Sequence, residues 1–171
     1  MVFMMRMNDY LVGSRVKTIS QAAAMIRAAL PKDQKEEHVF VLPLDAQGKV
    51  LAKPILVSVG HEDGTFACRE AIRLAERAKR VSRVAVARAR AAIDAGAIFR
   101  EAFKAGAEEI IVAHNHPSGD PTPRKADYDT TVKLNDGASL VGLELIDHLI
   151  IGAPESANGL GFVSMAELMA E

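Results

Sequence analysis

Between Ile110 and Asp127 the chain reads IIVAHNHPSGDPTPRKAD, and this stretch holds the residues whose types and spacing suit metal chemistry. His114 and His116 stand two apart at the end of a strongly apolar run. If that run is a strand continuing through them, alternation sends both imidazoles out of one face, where they can converge on one ion. Pro117, Ser118, Gly119, Asp120, Pro121 and Pro123 then impose a stiff loop incompatible with helix or continued sheet. Asp127 opens the next helix and is the first carboxylate beyond the loop placed to swing back. Asp120 is a rival ligand, although Ser-Gly-Asp-Pro suits a turn acid equally well. Two imidazoles and one carboxylate suit Zn2+, which accepts three such ligands and keeps a fourth position for water, as catalytic sites do. A water so held has its pKa lowered to about 7 and attacks at neutral pH, provided a nearby base takes its proton. The ordinary alternative is a His-x-His pair on the surface or in the core.

The rest of the chain must position those residues. Its 171 residues are enough for one domain, and 49% hydrophobic with 25% charged residues is a globular composition. A formal charge of −1 gives no whole-chain attraction to nucleic acid or membrane. The single cysteine, Cys68, excludes an intramolecular disulfide framework. Every long apolar run is broken by charge, so no membrane span is expected, and MVFMMRMNDY lacks the pattern of a signal peptide. The expected setting is cytoplasmic.

Residues 1–16 read as an irregular N-terminal segment. QAAAMIRAALP reads as a helix capped by Ser20 and stopped by Pro31. VFVLPLD and KVLAKPILVSVG read as two strands around an Ala46-Gln47-Gly48 turn, with Pro43 and Pro54 arguing for edges or bulges. Val84–Val86 reads as a short strand, and Ala91–Ala105 as an Ala-rich helix. EEIIVAH then reads as an apolar strand. Lys125–Leu140 reads as a helix that Asn135, Asp136 and Gly137 threaten to end early. GLELIDHLIIG is a buried strand, 154–161 a loop, and the last residues a short helix. Alternating helices and apolar strands point to an α/β (α+β) chain, a sheet covered by helices.

Residues 69–90 carry eight basic residues against Glu70 and Glu76, a local charge of +6. Arg69, Arg73, Arg77 and Arg80 form one stripe at helical spacing. It is either a solvated face or a surface for nucleic acid or an acidic partner through Arg73, Arg77 and Arg80. The segment lacks the aromatics that single-stranded nucleic acid would stack upon.

HNHPSGDPTP followed by Asp127 closely resembles the RadC family, a bacterial branch of the JAMM/MPN metalloprotease-like domains. ISQAAAMIRAAL, EEHVFVLPLDAQGKVL, IFREAFKAGAEEIIVAHNHPSG and GLELIDHLIIG resemble that family in the same order, over roughly residues 17 to 152. The resemblance implies a JAMM/MPN deaminase-like mixed β-sheet sandwiched by helices. It makes 17–171 one domain of the short stand-alone form, with a basic helical insertion at about 65–90. It implies His114, His116 and Asp127 as zinc ligands and Glu37 as general base, with Glu36 in its place if the register slips by one. Where the family carries a serine three residues before the metal aspartate, this chain has Arg124, which either stabilises an oxyanion electrostatically or fills the pocket. Asp147 and His148 match an Asp-His pair of the family. They read as a buried polar pair satisfied by neighbours, or as a pair that orients a metal ligand by accepting its free N–H. His38 and His61 read as structural or surface residues.

Two functions from different classes follow. One is a zinc-dependent hydrolase cleaving an amide or isopeptide bond in a peptide or protein. The other is a non-enzymatic module, DNA-repair-associated or nucleic-acid-binding, that retains a metal site. An HNH endonuclease is suggested only by the letters His-Asn-His, and three adjacent letters do not make that site.

Overall fold

The computed structural model describes residues 12–60, 66–68, 90–91 and 93–171. The sequence-predicted strand at Val84–Val86, His61, and Arg73, Arg77 and Arg80 lie outside them. The principal described elements are α1 (Ile19–Ala29), β1 (Glu37–Leu44), β2 (Ile55–Gly60), β3 (Phe66–Cys68), β4 (Arg90–Ala91), α2 (Ala95–Lys104), β5 (Glu109–Asn115), α3 (Lys125–Val141), β6 (Glu144–Ile151), β7 (Phe162–Ser164) and α4 (Met165–Ala170), with one irregular helical turn, Ser156–Gly159, between β6 and β7. The strands form one mixed sheet in the order β4-β3-β2-β1-β5-β6-β7. β5 and β6 run parallel across the α3 crossover, and every other described neighbour pair is antiparallel. Among the described residues no helix is long and apolar enough to cross a membrane.

Alternation along the central strands divides the core into two layers. Phe40, Leu42, Leu44, Ile111, Ala113, Leu149 and Ile151 pack with Ala22, Ala23, Met25 and Ile26 of α1. Val39, Val41, Ile110 and Val112 pack on the other face with Ile98, Phe99 and Ala102 of α2 and Leu134 and Ala138 of α3. This is the helix-covered sheet expected from the sequence.

Several local expectations are corrected. α1 is capped by Thr18 rather than Ser20: Thr18 Oγ1 accepts from Gln21 N, and Gln21 Oε1 accepts from Lys17 N in return. Pro43 sits in a central strand, yet its carbonyl faces Leu51 N at 3.0 Å, so its missing N–H lies on the side away from β5 and no β1–β5 bond is lost. Pro54 lies just before β2 rather than inside a strand, because the run from Lys49 bends at 52–53. The helix expected from Ala91 starts at Ala95, where Asp94 caps it by accepting from Ala97 N, and Ala91 belongs to β4. α3 runs through Asn135, Asp136 and Gly137 to Val141. Gly137 is there for space: a Cβ would lie 2.9 Å from the Phe99 ring. β7 was not expected at all.

Candidate metal centre

The site occupies the end of the α2/α3 face of the sheet, where β5 finishes and β1 begins. Val39 pairs with His114 across β1 and β5, so both side chains leave that face, and Glu37, two residues before Val39, leaves it as well. Below His114 the same face carries Val112 and Ile110, both fully buried. The apolar layer therefore ends at the site, and polar groups replace it only where the strands run out.

His114 is the last residue of β5 on this face, and His116 follows just beyond the strand. The chain then turns, with Gly119 N–H donating to the His116 carbonyl at 2.9 Å. Gly119 takes φ +83°, a left-handed conformation open to glycine without strain. Its carbonyl accepts from Ala153 N at 2.7 Å, which fixes the loop to the end of β6. Gly152 makes room for that contact, since a Cβ there would stand 2.5 Å from the Gly119 carbonyl oxygen and 2.6 Å from Pro121 Cδ.

Three potential ligand atoms meet here. His114 Nε2 lies 3.2 Å from His116 Nε2 and 3.1 Å from Asp127 Oδ1, and His116 Nε2 lies 3.5 Å from Asp127 Oδ2. All three residues are buried. An ion held tetrahedrally with bonds of roughly 2.0–2.1 Å separates its ligands by about 3.3 Å, so these spacings fit a metal. His116 Nδ1 faces the Asp120 carbonyl at 2.8 Å. A carbonyl only accepts, so that nitrogen carries hydrogen and Nε2 presents a lone pair. His114, His116 and Asp127 thus form a buried cluster that could hold a metal ion.

Asp127 is the third residue of α3, and Arg124 is its N-cap. The Arg124 backbone N–H donates to Asp127 Oδ2 at 2.7 Å, which aims the carboxylate at the histidines. Burial alone would push the Asp127 carboxyl up. The adjoining His114 and His116 and the hydrogen bond from the Arg124 N–H outweigh it, and the carboxyl is held well below the usual carboxylate range.

Asp120 stands apart from this cluster. Its exposed carboxylate accepts from Thr122 N and Thr122 Oγ1, as a turn acid does, and those bonds hold its pKa down. Glu37 is 3% exposed, and its Oε1 receives Arg124 Nη1 at 3.0 Å. Its neighbour Glu36 offers its carbonyl to His38 Nδ1 and Asn115 Nδ2. His38 is buried, its ring turned back on that local carbonyl.

Sequence reasoning missed two further residues at the site. Asn115 is fully buried, and its amide spans β5 to β1: Oδ1 accepts from His38 N at 2.7 Å, and Nδ2 donates to the Glu36 carbonyl at 3.1 Å. It clasps the backbone on both sides of Glu37. Thr131 Oγ1 lies 2.7 Å from the Asp127 carbonyl and 2.7 Å from His148 Nδ1. The signal for Asn115 was its place between the two histidines, a polar residue facing inward on the opposite side of a buried strand. Thr131 was foreshadowed only by its spacing of four from Asp127 on a helix.

His148 is fully buried, and its Nε2 lies 2.9 Å from His114 Nδ1. Burial, and then the neighbouring His114, push its pKa down to about 3, so it is neutral. Asp147 points the other way. Its carboxylate accepts from Ser164 Oγ and from the backbone of His148 and Ala166, and so anchors α4, while burial pushes its pKa up against those bonds.

The model of the RadC-like JAB domain matches residues 74–169, more than half of the chain. The chain belongs to the RadC family. A UPF0758 protein of Clostridium perfringens (strain ATCC 13124) is 56% identical over 118 residues, covering 69% of this chain and 40% of that protein. A UPF0758 protein of Carboxydothermus hydrogenoformans is 52% identical over 62 residues, 36% of this chain and 27% of the relative. The UPF0758 protein YsxA of Bacillus subtilis (strain 168) is 47% identical over 70 residues, 41% of this chain and 28% of the relative. The chain thus matches between about a quarter and two fifths of the length of these relatives. The mixed sheet flanked by helices is consistent with the JAB/MPN-like fold of the family.

Proposed function

We propose that this RadC-family domain is a zinc-dependent hydrolase that cleaves an amide or isopeptide bond in a peptide or protein with a metal-activated water. The observation that carries the reading is the convergence of His114 Nε2, His116 Nε2 and Asp127 at 3.1–3.5 Å beside a buried Glu37. When bound, a zinc ion supplies a Lewis acid and a water of lowered pKa. His114, His116 and Asp127 would hold it.

The chain's own residues supply the rest. Glu37 takes the proton of the attacking water and delivers it to the leaving amine, as general base and then general acid. Its side chain is almost wholly shielded from solvent, so its proton passes to the reacting atoms rather than to bulk water. Arg124 places a fixed positive charge beside it, where negative charge builds on the carbonyl oxygen of the scissile bond. Its side chain is 48% exposed, which sets the guanidinium at the mouth of the site.

Zinc content of the purified protein, measured by elemental analysis beside His116→Ala, tests the first half of this reading. About one zinc per chain, lost in the variant, is the expected result. Hydrolysis of a panel of peptide and isopeptide substrates, lost in Glu37→Gln, tests the second half. Wild-type protein that takes up no zinc even when supplied with it would overturn the proposal.

A further inference from the structure

We propose that Thr131 and His148 are positioning residues that, together with the backbone carbonyl of Asp127, fix the tautomer of His114 and so turn its Nε2 lone pair toward the metal position. Donor and acceptor identities decide it. The Asp127 carbonyl can only accept, so the single hydroxyl proton of Thr131 goes to it across 2.7 Å. Toward His148, also at 2.7 Å, Thr131 Oγ1 must then accept, and His148 Nδ1 carries the hydrogen.

His148 has no exposed surface, and among the described residues its ring nitrogens face only a hydroxyl and another imidazole. A second ring proton would bury a charge with no carboxylate paired to it among the described residues, at prohibitive cost. His148 Nε2 is therefore an acceptor, and His114 Nδ1, 2.9 Å away, must donate to it. The hydrogen of a neutral His114 is thereby committed to Nδ1.

The path closes on itself. It leaves the Asp127 carbonyl, passes through Thr131 and His148 to His114, and returns at 3.1 Å to the Asp127 carboxylate. One ligand candidate thus dictates the protonation of another through two side chains that touch no metal position. His116 is oriented separately, by the Asp120 carbonyl. With both ring hydrogens turned outward, three acceptors face one another at 3.1–3.5 Å, an arrangement that only a cation or a captured proton relieves.

The proposal rests on the metal reading only for what His114 Nε2 serves, and its test separates the two. Long-range 1H–15N correlation spectra of the metal-free protein labelled in histidine should show a neutral His148 with hydrogen on Nδ1, and hydrogen on Nδ1 of His114. Zinc affinity, measured by competition with a chelator, should fall roughly 10–100-fold in Thr131→Val and return to within a few-fold of wild type in Thr131→Ser. Hydrogen on His148 Nε2 in the wild type, or equal affinity in Thr131→Val and wild type, would overturn it. A wild type that binds no zinc would sink the hydrolase reading, while the wild-type spectra still decide the tautomers.

Discussion

Arg124 touches Glu37 and Asp127 through two different parts of itself: its guanidinium lies 3.0 Å from Glu37 Oε1, and its backbone N–H lies 2.7 Å from Asp127 Oδ2. The side-chain contact neutralises a carboxylate that has almost no access to water. The backbone contact is independent of which residue occupies position 124, proline excepted. Charge beside Glu37 and aim of the Asp127 carboxylate can therefore be changed separately.

Arg124→Gln should leave zinc stoichiometry at its wild-type value and lower turnover by about 10²-fold, the usual scale for losing one oxyanion contact. Arg124→Lys should retain part of that activity. Steady-state kinetics beside elemental analysis provide the check. Turnover that rises in Arg124→Gln would show instead that the guanidinium fills the pocket.

Glu37→Gln preserves shape and one acceptor oxygen but removes the proposed base. Zinc binding should persist while hydrolysis drops by about 10²–10⁴-fold, the range of general acid–base assistance. Intact turnover in this variant would falsify the mechanism.

Asp127→Ala should abolish stable zinc binding, because it removes a ligand and also the acceptor that fixes the Arg124 N–H at the start of α3. Dialysis against a weak chelator followed by metal analysis distinguishes this from the wild type. Retention of one zinc per chain would point to another acid.

Acid should act on the metal-free protein through the same carboxylate. Its folded-state pKa is depressed, so its contribution to stability is complete above the unfolded value of about 4 and is lost as pH falls through the folded value. The melting-temperature advantage of wild type over Asp127→Asn should shrink as pH is taken below about 4. An advantage that stays constant from pH 7 to pH 3 would contradict this assignment.

Asn115→Ala leaves the buried His38 N–H without its cross-strand acceptor, while the Glu36 carbonyl keeps His38 Nδ1. The expected loss is about 1–3 kcal/mol, read from urea midpoints. The variant should also weaken catalysis more than zinc binding, since the clasp surrounds Glu37 and not the ligands.

The helix-covered sheet was legible because the continuous apolar runs Val39–Leu44 and Ile110–Ala113, pointing to the two faces with a period of two, mark strands covered on both sides. The convergence of His114 and His116 follows from the same period of two. Local chemistry that depends on a distant partner was not legible. Gly137 resembles a helix terminator until Phe99 is placed against it. Pro43 resembles an edge signal until the neighbouring chain is seen to lie on its carbonyl side. Ser20 and Thr18 are equivalent caps on paper, and the reach of Gln21 back to Lys17 chooses between them. Asn115 and Thr131 act through bonds to other elements, which no window of adjacent residues contains.

The pairing of β1 with β5 also has a kinetic side. The clasp from His38 to Asn115 joins residues 77 apart, and the contact from Arg124 to Glu37 spans 87. His114, His116 and Asp127 lie within one short stretch that also contains the β5 end and the start of α3. The two halves of the centre therefore assemble by different routes: the candidate ligands gather through near-neighbour folding, whereas Glu37, the proposed proton carrier, arrives only after a long chain segment has closed, the slower kind of event. A partly folded form of this domain would bring His114, His116 and Asp127 together before Glu37 joins them.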